Sequence, residues 1–267
     1  NITMTNGAKL YLLSGMTNAP TPNYGALLDL QHKDLLIRTN CGVYLHSHPT
    51  NGGSVKVTVR FLTVEQGGQV NGDGGGFAGR ADLFGYGPGS GHGFNNSAGG
   101  GGYGGVGGIG NHGPQSYGGP TYGSTNMPMD PGSSGGGLPG SYVGGAGGSL
   151  IWIEALRLTL GGTITVNGAS SAVGNGGSGS GGGIYLRCNT FDCGPASVVR
   201  ANGGPRMLSE GGPGGGGRIA LWRVNQKGLP GTLTADAGAG AINSPPPAAG
   251  SIVWGQLTAQ GTVYMVR

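Results

Sequence analysis

The sequence has 267 residues with 66 glycines, only 9% charged residues and a formal net charge of +4. Glycine at roughly a quarter of the chain, against an average near 7%, means that the backbone itself must be the packing material in much of the fold. The few Lys and Arg residues are scattered, whereas a nucleic-acid-binding protein clusters them on one face, so we expect no nucleic-acid partner. We also expect no membrane span, because no stretch approaches the roughly 18 to 20 apolar residues that cross a bilayer.

Residues 1–54 have an ordinary composition and contain short apolar segments that predict β-strands. These segments lie at 9–13, 27–30, 35–38 and 43–45. Gly, Pro and β-branched residues interrupt every window long enough for a helix, here and in the rest of the chain. We interpret residues 1–54 as an N-terminal β segment, whose strands either cap the domain formed by residues 55–267 or pair with a neighbouring subunit by strand addition.

Residues 74–148 form a long insertion in that domain and are dense in glycine. Part of the insertion, residues 101–109, repeats every three residues, which is the period of the polyproline II helix, a structure without internal hydrogen bonds. The backbone groups of such segments must pair with neighbours or water. We expect packed polyglycine II segments with Tyr103, Val106 and Ile109 on one face, since a structureless loop of this length is unusual in a compact domain.

A repeat of about 34 residues covers the C-terminal part of the chain. In each copy a glycine run opens an apolar strand, marked by Leu150, Ile184, Ile219 and Ile252, which are 34, 35 and 33 residues apart. A second strand pattern follows in the first three copies, at 163–168, 198–204 and 232–237. The strands alternate apolar and polar residues, and Asn-Gly and Gly-Gly pairs supply the corners between them.

Stacking such coils buries an apolar face that no single repeat can bury alone. The sequence therefore predicts an all-β fold: a β-solenoid of parallel β-helix type, with coils of about 34 residues, a long ordered glycine-rich insertion and almost no helix. Residues 261–267 form a further strand pattern, and we expect the edge of that strand to be open.

The three cysteines are Cys41, Cys188 and Cys193. The last two are five residues apart, which is close enough to bridge across a tight turn, and extracellular proteins favour disulfides. We predict a Cys188–Cys193 disulfide, with two buried thiols as the alternative. Cys41 is left over, and we expect it to be buried and inert, with intermolecular pairing as the alternative.

Two glycosylation sequons begin at Asn1 and Asn95, and they would carry glycans in a host that makes them. The chain starts at Asn1 and not at Met. We interpret this as secretion followed by removal of a leader, and we expect an extracellular or cell-surface location.

Side chains that carry out catalysis are scarce, with ten acidic residues and five histidines. His46 and His48 alternate on a predicted strand, but two ligands without a third do not define a metal site. Asp29 and Asp34 are close in sequence, yet neither they nor any other carboxylate pair recurs on the coils. We predict no catalytic residue, no metal site and no cofactor, and therefore not an enzyme.

Aromatic residues occur at near-equivalent positions of successive coils, namely Trp152, Tyr185, Trp222 and Trp254. This spacing predicts an aromatic ladder along the solenoid. Such a ladder either stabilises the coils by buried stacking or, if exposed, binds sugar rings.

The order of these motifs resembles a family of glycine-rich secreted repeat proteins found on bacterial and protist surfaces. The matching segments, in order, are 67–76, 148–153, 164–168, 199–204, 214–221 and 261–264. The resemblance covers about residues 55–267 and leaves out the N-terminal segment. It implies a secreted, β-helical surface protein and brings no known catalytic residues.

Taken together, these features favour an extracellular structural protein, a subunit of a surface filament, sheath or matrix that assembles by self-association. Uncapped coils support this interpretation because they offer unpaired strand edges to the next subunit. The alternative is a binding module, either a glycan-binding adhesin or a phage tail-tip type module built of packed polyglycine helices. A polysaccharide-degrading enzyme is disfavoured, because the paired carboxylates of glycoside hydrolysis are missing.

Overall fold

The computed structural model describes residues 1–17, 24–140, 142–172, 174–207, 210–240 and 245–259. The strands in these ranges are β1 (Ile2–Met4), β2 (Lys9–Leu13), β3 (Ala26–Ile37), β4 (Gly42–His46), β5 (Val55–Val64), β6 (Gln69–Asn71), β7 (Gly93–Phe94), β8 (Ser97–Ala98), β9 (Leu150–Leu160), β10 (Thr163–Thr165), β11 (Gly183–Cys193), β12 (Val198–Arg200), β13 (Arg218–Lys227), β14 (Thr232–Thr234) and β15 (Ser251–Gln256). Within the same ranges, a single 3₁₀ turn at Gly113–Ser116 is the only helix. The strand predicted at 261–267 lies outside the described residues.

Two parallel sheets build a solenoid of seven coils. Sheet 1 has the order β1-β3-β5-β9-β11-β13-β15, and sheet 2 has the order β2-β4-β6-β10-β12-β14. From the second to the sixth coil, each coil places a long strand in sheet 1, turns a corner, and places a shorter strand in sheet 2. In the first coil β1 is shorter than β2, and in the seventh coil the described residues contain only the sheet 1 strand β15. Gly183 pairs with Leu150 and Arg218 pairs with Gly183, steps of 33 and 35 residues. The predicted β-solenoid is confirmed.

The pairing of β11 with β9 is shifted by one residue from the pairing that the spacing of Leu150 and Ile184 predicts. Ile184 pairs with Ile151 and not with Leu150, because Gly183 occupies the position opposite Leu150. The pairings of Ile184 with Ile219 and of Ile219 with Ile252 are as expected. Successive side chains of a strand point to opposite faces, so Ile151, Ile184 and Ile219 point into the core and are fully buried there.

The N-terminal strands are the first coils of the same solenoid. β3 pairs in parallel with β5, and β4 pairs in parallel with β6. Ile37 and Leu45 belong to the same buried core as Ile164 of the fourth coil. These strands therefore stack on the coils of their own chain, as in the first of the two alternatives given for residues 1–54.

The third side of the solenoid is closed by a glycine bundle, which we define as the extended tracts that connect sheet 2 back to sheet 1 together with the insertion between β6 and β9. Its tracts are 72–79, 97–102, 105–110, 117–120, 131–137, 143–149, 166–171, 176–182, 201–206, 211–217, 235–239 and 247–250. Tract 176–182 shows how the tracts pair. Its amides at 177 and 180 donate to tract 131–137, those at 178 and 181 to tract 211–217, and those at 179 and 182 to tract 166–171.

This radial hydrogen bonding with a period of three is that of polyglycine II and not of a β-sheet. The tracts approach each other so closely that side chains are excluded. A Cβ atom on Gly177 would lie 1.8 Å from the carbonyl oxygen of Gly99, and one on Gly179 would lie 2.0 Å from that of Ala146. Glycine is therefore required here for packing.

The expected common face of Tyr103, Val106 and Ile109 is not formed. The chain bends at residues 103–105, and Gly100 then donates to Gly108 of the returning tract. Tyr103 is fully buried, whereas 37% of Val106 is exposed. The bend breaks the period of three, so residues on its two sides do not share a face.

Candidate functional surfaces

The carboxylates that the sequence singled out are engaged in local hydrogen bonds. Thr58 Oγ1 donates to Asp29 at 2.7 Å, and Arg60 donates two bonds of 2.7 Å to Asp34. These bonds hold the pKa of both carboxyls below the ordinary value. A general acid needs a raised pKa, so neither group is suited to that role.

His46 and His48 do not meet a third ligand, and among the described residues no three His, Cys, Asp or Glu side chains form a metal site. His48 Nδ1 accepts a hydrogen bond of 3.2 Å from the amide of Asn51. The His46 ring lies 6.3 Å from that of Tyr11 on the outer face of sheet 2. Both histidines therefore make local contacts.

The predicted Cys188–Cys193 disulfide is wrong. Both residues lie on the extended strand β11, where five residues span roughly 16 Å, and a disulfide requires Cα atoms within about 7 Å. Both thiols are free and buried, and burial raises the pKa of Cys188 to about 12 and that of Cys193 to about 11. Cys41 is also free and buried, as expected.

The predicted aromatic ladder is limited to one pair. Trp152 pairs with Tyr185, and their rings are 6.1 Å apart in a tilted arrangement. The next positions in that row are Ala220 and Val253. The other two predicted members are out of register: Trp222 pairs with Arg187, and Trp254 pairs with Leu221.

Both sequons are accessible. Asn1 is exposed, and Asn95 is exposed in the turn between β7 and β8 with a φ of 52°. Their glycosylation remains a prediction.

A buried polar cluster joins the glycine bundle to the outer face of sheet 1. Arg218 is only 6% exposed, and it donates to the carbonyl oxygen of Tyr122 at 3.0 Å, to Ser251 Oγ at 3.1 Å and to the carbonyl oxygen of Tyr103 at 3.3 Å. Burial raises the pKa of the nearby Asp130, and the charge of Arg218 opposes that shift. Nothing in the sequence pointed to this cluster, because Arg218 is 96 and 115 positions from the two tyrosines whose carbonyl oxygens it binds.

The N-terminal end of the solenoid presents apolar strand edges. In the described chain β1 and β2 pair on one side only. Leu10 and Leu12 of β2 pack on the core but are half-buried, and Leu13 is 70% exposed. At the other end β14 and β15 are likewise paired on one side within the described ranges.

A groove of about 860 Å³ crosses sheet 1 at right angles to its strands. It lies where the pairing of neighbouring strands skips one position, at Leu156 of β9 and Asn189 of β11. Leu156 and the next residue, Arg157, are both exposed, so the alternation of faces is broken at this point. The groove is a concave surface that runs along the solenoid axis.

The fold and these surfaces define a parallel β-solenoid braced by a polyglycine II bundle. In comparison with known proteins, no family model, no curated protein and no solved structure matches the chain. None of the helical structure in the described ranges is long and apolar enough to cross a membrane.

Proposed function

We propose that this chain is an extracellular structural protein, a subunit of a surface filament, sheath or matrix that assembles by self-association. The observation that carries the proposal is the form of the two ends. One parallel stacking interface repeats through all seven strands of sheet 1, and the described solenoid ends at both sides with edge strands that have one partner each. A second copy can continue the same stacking.

The apolar residues at the two ends support head-to-tail continuation. Leu10 and Leu12 at the first coil, and Leu233 and Trp254 at the last, pack on the core while remaining only partly buried. Their equivalents in the middle coils, such as Val43 and Val199, are almost fully buried. Joining the end of one copy to the start of the next would remove this apolar surface from water, which is favourable.

The extracellular location is supported by the low charge and by the two exposed sequons at Asn1 and Asn95. The resemblance to glycine-rich secreted repeat proteins points the same way. A second candidate function, a glycan-binding module, is favoured by the groove on sheet 1.

The assembly proposal is tested on the purified chain by light scattering over a range of concentrations and by electron microscopy. We expect oligomers or filaments that grow with concentration. An inward-pointing charge on an edge strand blocks edge-to-edge pairing, so Leu12→Lys should yield monomers with an unchanged circular dichroism spectrum. Val143→Lys, which alters an exposed apolar residue of the glycine bundle, is the control and should assemble normally.

Leu13→Lys is a second end variant, chosen because Leu13 is largely exposed and its replacement does not disturb the core. A wild-type chain that stays monomeric at every concentration would overturn the proposal. Equal assembly of the wild type and of both end variants would overturn the head-to-tail geometry.

A further inference from the structure

The groove on sheet 1 has the length of an extended polymer. It runs from Gln31 on β3, across β5, β9, β11 and β13, to Thr258 just after β15. Six neighbouring coils at a strand spacing of about 4.8 Å give a length of about 24 Å. The groove is open along its length, so it suits a chain lying along the solenoid axis better than a compact small molecule.

The lining repeats polar groups from coil to coil. Asn189, Asn225 and Thr258 contribute two amides and a hydroxyl from different coils. Gln31 and Thr58 also line the groove, and because both donate to Asp29 they offer a ligand their acceptor oxygens. Amides both donate and accept hydrogen bonds, and hydroxyls do the same. A ligand with many hydroxyl groups along an extended chain can therefore pair with one coil after another.

The charges in the groove are not balanced. Arg60 is bound to Asp34, and Glu154 is bound to Lys56 with an Nζ–Oε1 distance of 3.1 Å. Arg187 is exposed, and among the residues that the structure describes it has no hydrogen-bond or ion-pair partner. One guanidinium without an ion-pair partner among the described residues thus lies midway along the groove, opposite Glu154, whose carboxylate is bound by Lys56. Guanidinium groups match carboxylate and sulfate geometry.

We propose that this groove binds an extended acidic polysaccharide, with sugar hydroxyls on the amides and hydroxyls of the coils and an acidic group on Arg187. A peptide fits less well. Extended peptides bind by adding a strand to a free sheet edge, and the groove crosses the strands of sheet 1 at right angles, where the backbone groups are already paired.

The inference does not depend on self-assembly, because the groove lies within one chain. If copies stack as proposed above, the grooves of successive copies form a longer one. Binding is therefore measured on wild type and on the assembly-deficient Leu12→Lys variant. If Leu12→Lys no longer assembles but still binds the polysaccharide, binding and assembly are independent properties of the chain.

The experiment is isothermal titration calorimetry with polygalacturonate, hyaluronate and heparin as acidic probes, dextran as the neutral probe and poly-glutamate as the acidic peptide. We expect binding to at least one acidic polysaccharide, weakened by salt, and little binding to dextran. Arg187→Gln should weaken it by about tenfold or more, the cost of losing a hydrogen bond to a charged group. Arg200→Gln removes the same charge from the exposed outer face of sheet 2 and should change affinity by less than about twofold.

Three results would overturn the proposal: no binding to any of the three acidic polysaccharides, an equal loss of affinity in Arg187→Gln and Arg200→Gln, or binding of poly-glutamate as tight as that of the polysaccharides. The last would show that the groove recognises negative charge alone.

Discussion

The guanidinium of Arg218 lies over the ring of Tyr103, 5.4 Å from its centroid, and donates from Nη2 to the carbonyl oxygen of the same residue. The two residues are 115 positions apart. Tyr103 belongs to the glycine-rich insertion and Arg218 opens β13. This contact is therefore one of those that hold the insertion against sheet 1, together with the bonds from Arg218 to Tyr122 and from Trp222 to Asn126.

Replacing Arg218 should loosen the whole molecule. Arg218→Met keeps much of the stem but removes the donor to the partly buried carbonyl oxygen of Tyr122 and one of the two donors to the buried carbonyl oxygen of Tyr103, which also accepts from the amide of Tyr122. We therefore expect a loss of about 1–3 kcal/mol in the free energy of unfolding. Arg200→Met on the exposed face of sheet 2 is the matched control and should stay within about 0.5 kcal/mol. Urea unfolding measures both, and equal effects would show that the cluster adds no stability.

The glycine bundle should not tolerate a methyl group. In Gly177→Ala the new Cβ would overlap the carbonyl oxygen of Gly99, so we expect a loss of about 3 kcal/mol or more. In Gly194→Ala the Cβ meets no atom within 4 Å, and the change should be neutral or stabilise by up to about 1 kcal/mol. Thermal unfolding distinguishes the two. A similar loss in both variants would mean that the backbone freedom of glycine matters more than the close packing of the tracts.

Amide hydrogen exchange should show that the glycine tracts are ordered. Every amide from 177 to 182 donates to a neighbouring tract, so a peptide covering these residues should exchange far more slowly than the exposed turn around Gly140. Mass spectrometry after a time course in heavy water measures this. Exchange of the two segments at the same rate would contradict the bundle.

The buried thiols should be unreactive in the folded state. Burial raises the pKa of Cys188 to about 12 from an ordinary value near 9, and the thiolate is the reactive form. We expect slow alkylation by iodoacetamide at pH 8 in the native protein and rapid alkylation in urea. Rapid labelling of native Cys188, or detection of a bond to Cys193 in a non-reduced digest, would contradict the structure.

The same shift makes stability depend on pH. The folded state holds the proton of Cys188 more tightly than the unfolded state, so its contribution is complete below about pH 9 and is lost as the pH rises towards about 12. The unfolding free energy of a Cys188→Ala variant should fall less steeply across that window than that of wild type. Parallel slopes would show that the thiol is not the titrating group.

The coils could be predicted because the sequence carries their period twice, in the strands and in the glycine corners. The period of three at 101–109 predicted polyglycine II tracts, but it did not predict the bend at 103–105 that divides this segment into two tracts. The first coils were harder to recognise, since β3 carries a bulge between Leu30 and Asp34 that blurs the repeat. A spacing of five residues between two cysteines does not distinguish a turn from a strand, and here the strand continues.

The four-residue aromatic ladder could not be predicted reliably, because coil lengths of 33 and 35 residues shift the strand register. As a result, Trp222 and Trp254 do not lie in the same row of paired positions as Trp152. The Arg218 cluster depends on how segments far apart in the sequence meet in the fold. The groove depends on how six neighbouring coils are stacked. Neither leaves a local signal in the sequence.

The glycine bundle also sets the thermal behaviour of the molecule. Its tracts are held by amide–carbonyl bonds and carry few apolar side chains, so unfolding them exposes mainly peptide groups. Newly exposed apolar surface raises the heat capacity of a protein and newly exposed polar surface lowers it. The heat capacity change of unfolding is therefore smaller than that of an ordinary globular protein of the same length, and the free energy of unfolding varies less steeply between cold and heat.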